Sequence, residues 1–177
     1  MRYICLLRGI NVGGNNIIKM IDLKKSFEEM GFDEVKTYIQ SGNVIFDSDE
    51  IDLIKLEKDI EKILSEKFNY QSKVVIISHE QLARIIQNAP KDFGVYAQDY
   101  RYDVLFLKFP LSSKEALGKI LIREGVDNVT AGEGVLYFSR LISKAGQSYL
   151  NKIIGTAVYK EMTIRNWNTT SRLLELC

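Results

Sequence analysis

The chain has 177 residues, with 24 lysines and arginines against 23 aspartates and glutamates, a formal net charge of +1 and 46% hydrophobic residues. That composition belongs to a chain able to bury a core, and its near-neutrality excludes the strong basic field of a dedicated nucleic-acid coat protein. One histidine, His79, and two cysteines, Cys5 and Cys177, are too few for a His/Cys metal cluster or a disulfide framework, so no metal and no cofactor is expected.

In chain order, Arg2 to Arg8 reads as a strand. Ile4 and Leu6 on one side and Tyr3, Cys5 and Leu7 on the other are all apolar, which predicts a central strand covered on both faces. The run is too short and too interrupted for a signal peptide or a membrane span, so a cytoplasmic, reducing setting and no membrane partner are expected. Cys5 is then a packing residue, and Cys177, the last residue, is expected to be frayed. After a glycine-rich loop, Gly9 to Asn16, the residues Met20, Leu23, Phe27 and Met30 recur at helical spacing, and Gly31 stands where a glycine cap belongs. Val35 to Gln40 and Asn43 to Asp47 predict two strands of a hairpin turning at Ser41-Gly42. Leu53, Leu56, Ile60, Ile63, Leu64 and Phe68 form the stripe of a longer helix whose other positions are solvated charges.

Lys73 to Ile77 is a further strand, and Ser78-His79-Glu80-Gln81 is a capping box that opens a helix running to about Asn88. His79, in the first turn of that helix, is expected to be exposed. From Tyr102 the order repeats. A strand to Phe109 is followed by a helix opened by Ser112-Ser113-Lys114-Glu115, a strand at Val126 to Thr130, and a hairpin through Gly132-Glu133-Gly134 into Val135 to Arg140. A helix over Gly146 to Ile154, an extended piece at Glu161 to Arg165 and a final helix over Asn166 to Leu176 complete the chain. Two β-α-β-β-α-β orders in series predict an α+β protein of two tandem ferredoxin-like subdomains, residues 1–95 and 96–177, with an extra C-terminal helix.

Three polar clusters carry whatever chemistry the sequence offers. The first is the loop between strand and helix, where Arg8, Asn11, Asn15, Asn16 and Lys19 are all donors and Gly13 and Gly14 free the backbone to approach an anion. It reproduces the glycine spacing of a P-loop at Gly9 and Gly14, but Asn15 and Asn16 stand where the Lys and Ser/Thr belong, and Asn11 spoils a dinucleotide fingerprint. The second is the hairpin, with Tyr38 and Gln40 expected on one side of a strand beside Ser41, Gly42 and Asn43. The third is Thr163 to Thr169, with Arg165, Asn166, Asn168 and the chain's only tryptophan, Trp167. One of its asparagines is expected to cap the last helix, and Trp167 to anchor packing.

The segments Leu7-Arg-Gly-Ile-Asn-Val-Gly-Gly-Asn-Asn16 with Lys19-Met20, Tyr38-Ile-Gln-Ser-Gly-Asn-Val44 with Phe46, and Arg165-Asn-Trp-Asn-Thr169 resemble the three signature segments of a widespread bacterial family catalogued as a domain of unknown function. The resemblance implies a pair of ferredoxin-like subdomains and three polar clusters that belong together as family hallmarks; it implies no activity and no catalytic residue.

The reading that follows is a cytoplasmic protein binding a small anionic or nucleotide-like ligand at the Gly9 to Asn16 loop, between two domains. Arg165, Asn166 or Asn168 is expected to approach that loop or the Tyr38 to Asn43 hairpin. Two alternatives stay open. One is an enzyme whose oriented Arg and Asn donors act on a phosphate- or carboxylate-bearing substrate. The other is a nucleic-acid contact module, although no RNA-recognition aromatic motif is present and the aromatic residues are scattered.

Overall fold

The computed structural model describes residues 1–177 in full. In its first half, β1 (Arg2–Leu7), α1 (Met20–Glu29), β2 (Asp33–Tyr38), β3 (Asn43–Asp47), α2 (Leu53–Phe68) and β4 (Val74–Ser78) follow one another, and α3 (His79–Gln87) comes next. In the second half the order is β5 (Tyr100–Leu107), α4 (Ser113–Lys119), β6 (Asp127–Ala131), β7 (Val135–Leu141), two 3-10 turns, a one-turn α5 (Ala157–Lys160), β8 (Met162–Asn166) and α6 (Trp167–Leu176). The strands make two four-stranded antiparallel sheets, ordered β2-β3-β1-β4 and β6-β7-β5-β8, so the first strand of each half is central and the two halves share one strand order.

Local chemistry sets the element ends. Ile18 and Leu23, flanking the start of α1, are both buried in the same core, the hydrophobic staple that fixes how the chain enters the helix. Gly31, at φ +86°, lets the chain leave that helix. The Asp52 carboxylate accepts the main-chain N–H groups of Ile54 and Lys55 at the start of α2. Reciprocal bonds between Ser78 and Gln81, and between Ser112 and Glu115, open α3 and α4 as the two capping-box patterns predict.

Contacts along the chain divide it into two compact units, Met1–Leu82 with Leu173–Cys177, and Ala83–Arg172. The boundary expected near residue 95 thus falls inside α3, because the end of that helix is tied to the second sheet: the buried Tyr137 hydroxyl donates to the Ile85 carbonyl at 2.6 Å. The last residues are not frayed. Arg2 grips both Asp47 oxygens, at 2.7 and 2.8 Å, and also donates to the Cys177 carbonyl at 2.9 Å.

In the first unit, Tyr3, Cys5 and Leu7 join Phe46, Phe27, Ile60 and Leu64 in one core, and Ile4, Leu6 and Ile45 on the opposite face of the sheet are equally buried, as a doubly apolar central strand requires. In the second unit Leu105, Leu136 and Phe138 pack with Ala116, Ile153 and Met162. Here the expected helix over residues 146–154 is replaced by 3-10 turns at Ile142–Gln147 and Leu150–Ile153. Ser148 between them is extended (φ −59°, ψ 141°) and its hydroxyl accepts the Leu150 N–H, the local competition that keeps serine out of helix interiors.

Candidate functional site

The first two polar clusters meet within the first unit. After β1, five residues of the loop take left-handed backbone: Gly9, Asn11, Gly13, Gly14 and Asn16. Gly13 and Gly14, at φ +59° and +78°, are the central pair of a tight turn closed by the Asn15 N–H donating to the Val12 carbonyl at 3.1 Å. Asn11 holds this loop to the hairpin. Its amide nitrogen donates to the Ile18 carbonyl at 2.9 Å and to the Gln40 carbonyl at 2.8 Å, while its amide oxygen accepts the Ile18 N–H at 2.8 Å. The start of α1 and the hairpin tip therefore lie within one hydrogen bond of a single nitrogen.

Most of the other predicted contacts serve the same closure. Asn16 donates to the Gly9 carbonyl at 2.9 Å, and the fully buried Asn43 donates to the Tyr38 carbonyl and the Ser41 hydroxyl at 2.9 and 3.2 Å. Arg8 is half-buried, and its main chain donates to the Lys73 carbonyl. The expected pairing of Tyr38 with Gln40 on one strand face does not occur. β2 ends at Tyr38, and Ile39 turns to φ +49°, so strand alternation stops one residue before Gln40. What the junction presents outward is the Asn15 amide, the Lys19 ammonium and the Gln40 amide, all exposed and without a hydrogen-bond partner in the protein. Lys19 opens α1 without a side-chain cap, and Asp22 in the first turn opposes anions there, so the ammonium is the charge an anion would find.

The third cluster is part of the second unit and has a different character. Arg165 is 6% exposed on β8 and donates to the Thr163 hydroxyl and the Ile164 carbonyl, both at 2.9 Å. Asn166 caps α6, its side-chain oxygen taking the Asn168 N–H at 3.0 Å, while its nitrogen donates to the Tyr102 carbonyl at 3.1 Å. Trp167 is a packing anchor, edge-on to Phe93 with ring centroids 5.1 Å apart and pressed against Gly94, whose φ is +89°. Of this cluster's three proposed contacts, only Asn168 is exposed.

Two groupings were not legible in the sequence. Asp103 and Arg140 are paired at 3.7 Å on the core face of the second sheet, and burial raises the Asp103 carboxyl above its usual range against the pull of Arg140. Neighbouring Asp127 accepts the Arg123 and Tyr149 N–H groups at 2.9 and 2.8 Å and so fixes the chain between the two 3-10 turns that replace the expected helix over residues 146–154. The other grouping is aromatic. Phe93 stands edge-on to Tyr102 and Tyr137 at 4.9 and 5.4 Å, gathering rings that lie far apart in sequence. Burial raises the Tyr102 hydroxyl and pushes that of Tyr137 up to about 12, so both remain protonated at neutral pH. The only sequence signal was the density of Phe and Tyr between residues 93 and 102.

A structure described as that of conserved bacterial protein SP0830 from Streptococcus pneumoniae shares this fold, with a TM-score of 0.83 and 23% identity over 99% of this chain and 97% of that one. A search of curated proteins finds no match. No helix is long and apolar enough to cross a membrane. The family described as "Protein of unknown function (DUF1697)" matches residues 1–137, well over half the chain, and the protein therefore belongs to that family.

Proposed function

We propose that the chain is a cytoplasmic binding protein for a small anionic or nucleotide-like ligand, built from two ferredoxin-like units. The strand order, with the first strand between the third and fourth in each half, supports the ferredoxin-like reading. One observation carries the binding reading. Asn11 ties the Gly9 to Asn16 loop to the hairpin, Asn16 braces the loop and Asn43 the hairpin from within, and Asn15, Lys19 and Gln40 are left facing solvent around the turn. A loop whose own polar groups already rigidify it loses little entropy when it takes a ligand. Its free donors suit a phosphate or carboxylate, with Lys19 supplying charge and the Asn15 and Gln40 amides supplying paired N–H groups.

Thermal melting with inorganic phosphate, nucleoside phosphates and dicarboxylates tests this. A ligand present at about 100 times its Kd adds about 2.7 kcal/mol to the folded state. Because the Lys19 ammonium has no protein partner, Lys19→Ala is expected to leave the free protein's Tm unchanged and to weaken anion binding about tenfold or more. Absence of a shift with every one of these compounds at millimolar concentration refutes the reading.

A further inference from the structure

One end of the second sheet, where Tyr100, Asn128 and Thr130 are exposed, carries a second candidate site, independent of the loop in the first unit. Strand alternation puts Tyr102 of β5, Tyr137 and Ser139 of β7, and Asn128 and Thr130 of β6 on the side away from the Leu105–Leu136–Phe138 core. A cavity of about 460 Å³ opens there, within the range of small-ligand sites, and a smaller one of about 170 Å³ adjoins it. Tyr100 and Tyr102 line both, so the two cavities share a wall.

We propose that these cavities bind a nucleoside-class ligand, its planar heterocycle against Tyr96 and Tyr100 in the larger cavity and an acidic substituent, such as a phosphate, at Arg101 in the smaller. Tyr96 and Tyr100 are 54% and 37% exposed, while Tyr102 beneath them is buried, so two aromatic rings are offered to a ligand on a floor that is already packed. Phe93, edge-on to Tyr102, Tyr137 and Trp167, braces that floor, which makes the cavity walls preformed. Asn128, Thr130 and Ser139 line the larger cavity, and their side chains make no hydrogen bond within the protein. Together they present donors and acceptors on one face of two paired strands, Asn128 opposite Ser139 and Thr130 two residues along β6, the mixture that the edge of a nucleobase requires. At the smaller cavity Arg101 is exposed, beside the unpartnered Asn168 side chain and the Trp167 indole. A guanidinium with an amide next to it suits a phosphate or carboxylate. A formal net charge of +1 supplies no extended basic track, which favours a small ligand over a nucleic-acid strand.

The test is titration of the whole protein with the four common ribonucleoside monophosphates, the matching nucleosides and a short single-stranded oligonucleotide, followed by calorimetry or NMR. At least one monophosphate is expected to bind saturably. Tyr100→Ala should weaken it about fivefold or more, and Tyr100→Phe should retain it, since the stacking ring is kept. Arg101→Ala should weaken the monophosphate about tenfold and leave the nucleoside unaffected. Tyr96→Ala, at the more exposed position, gives the same reading should Tyr100→Ala disturb folding. The proposal is overturned if none of the probes binds saturably at millimolar concentration, or if binding survives loss of both tyrosine rings. An oligonucleotide held far more tightly than any monophosphate also overturns it, by making the face a nucleic-acid surface. Because the first unit's loop is also expected to take nucleoside phosphates, the titrations are repeated in the Lys19→Ala background: monophosphate binding that persists there and is lost in Tyr100→Ala belongs to this face, and monophosphate binding lost altogether in Lys19→Ala overturns the proposal.

Discussion

Replacing Gly42 by alanine is expected to destabilise the protein by about 2–5 kcal/mol, the sum of left-handed strain and overpacking in a filled site. Gly42 sits at φ +77°, and a Cβ built on it would come within 2.5 Å of the Ile10 Cδ1 and 2.9 Å of the Leu7 Cβ. Leu7 also donates its N–H to the Gly42 carbonyl at 2.8 Å, so the backbone cannot move aside without breaking the bond that joins β1 to the hairpin. Gly14→Ala is the control. Its φ of +78° is nearly the same, but nothing lies within 4 Å of the added methyl. It should therefore cost only the left-handed strain, about 1–2 kcal/mol. Denaturant or thermal unfolding of the pair measures the difference, at about 2–4 °C of Tm per kcal/mol for a chain of this size. Equal losses in the two variants would mean that the loop and hairpin do not pack as described.

Asn11→Asp is expected to cost about 2–4 kcal/mol at neutral pH, although it changes one atom. Asparagine and aspartate tolerate the φ of +53° at this position about equally, so the backbone contribution cancels. The amide nitrogen that donates to the Ile18 and Gln40 carbonyls becomes an oxygen facing two oxygens, while the bond from the Ile18 N–H survives. The introduced carboxylate is disfavoured as an anion there, so its pKa in the folded protein rises above the ordinary value of about 3.9. The sign follows from linkage. The deficit against the native chain is full above the raised folded pKa and shrinks as the pH falls through it, because the protonated acid regains one donor. Unfolding of both chains across the acid range checks this; a deficit that grows with acid would contradict the assignment of the amide nitrogen.

These two positions also show what could be read from the sequence alone. Strand and helix positions followed from apolar period and capping boxes, because those signals are local: Ser78 with Gln81 and Ser112 with Glu115 needed no knowledge of the rest of the chain. The three polar clusters were visible as composition, but the atoms each asparagine bonds were not. Asn11 reaches Gln40 across 29 residues, and no spacing rule distinguishes it from Asn15 four positions later, whose side chain bonds nothing in the protein. The 3-10 turns that replace the expected helix over residues 146–154 were missed for a similar reason. Leu150 and Ile153 have helical spacing and are buried, but the chain between β7 and β8 is held by the distant Asp127 carboxylate bonding the Tyr149 N–H. The tyrosine-lined cavities depend on Phe93 bringing together rings from positions 102, 137 and 167, a tertiary event that an aromatic count cannot anticipate.

The central claim is that the Gly9 to Asn16 loop is a rigid junction with outward donors for an anion. It is tested most directly by following the backbone amide resonances of isotope-labelled protein during titration with inorganic phosphate at constant ionic strength. Within the first unit, the account predicts saturable shifts confined to Gly13, Gly14, Asn15, Lys19 and the Gln40 side-chain amide, with these shifts reduced in Lys19→Ala. Shifts that are absent there, or that spread over the protein without saturating, would contradict it.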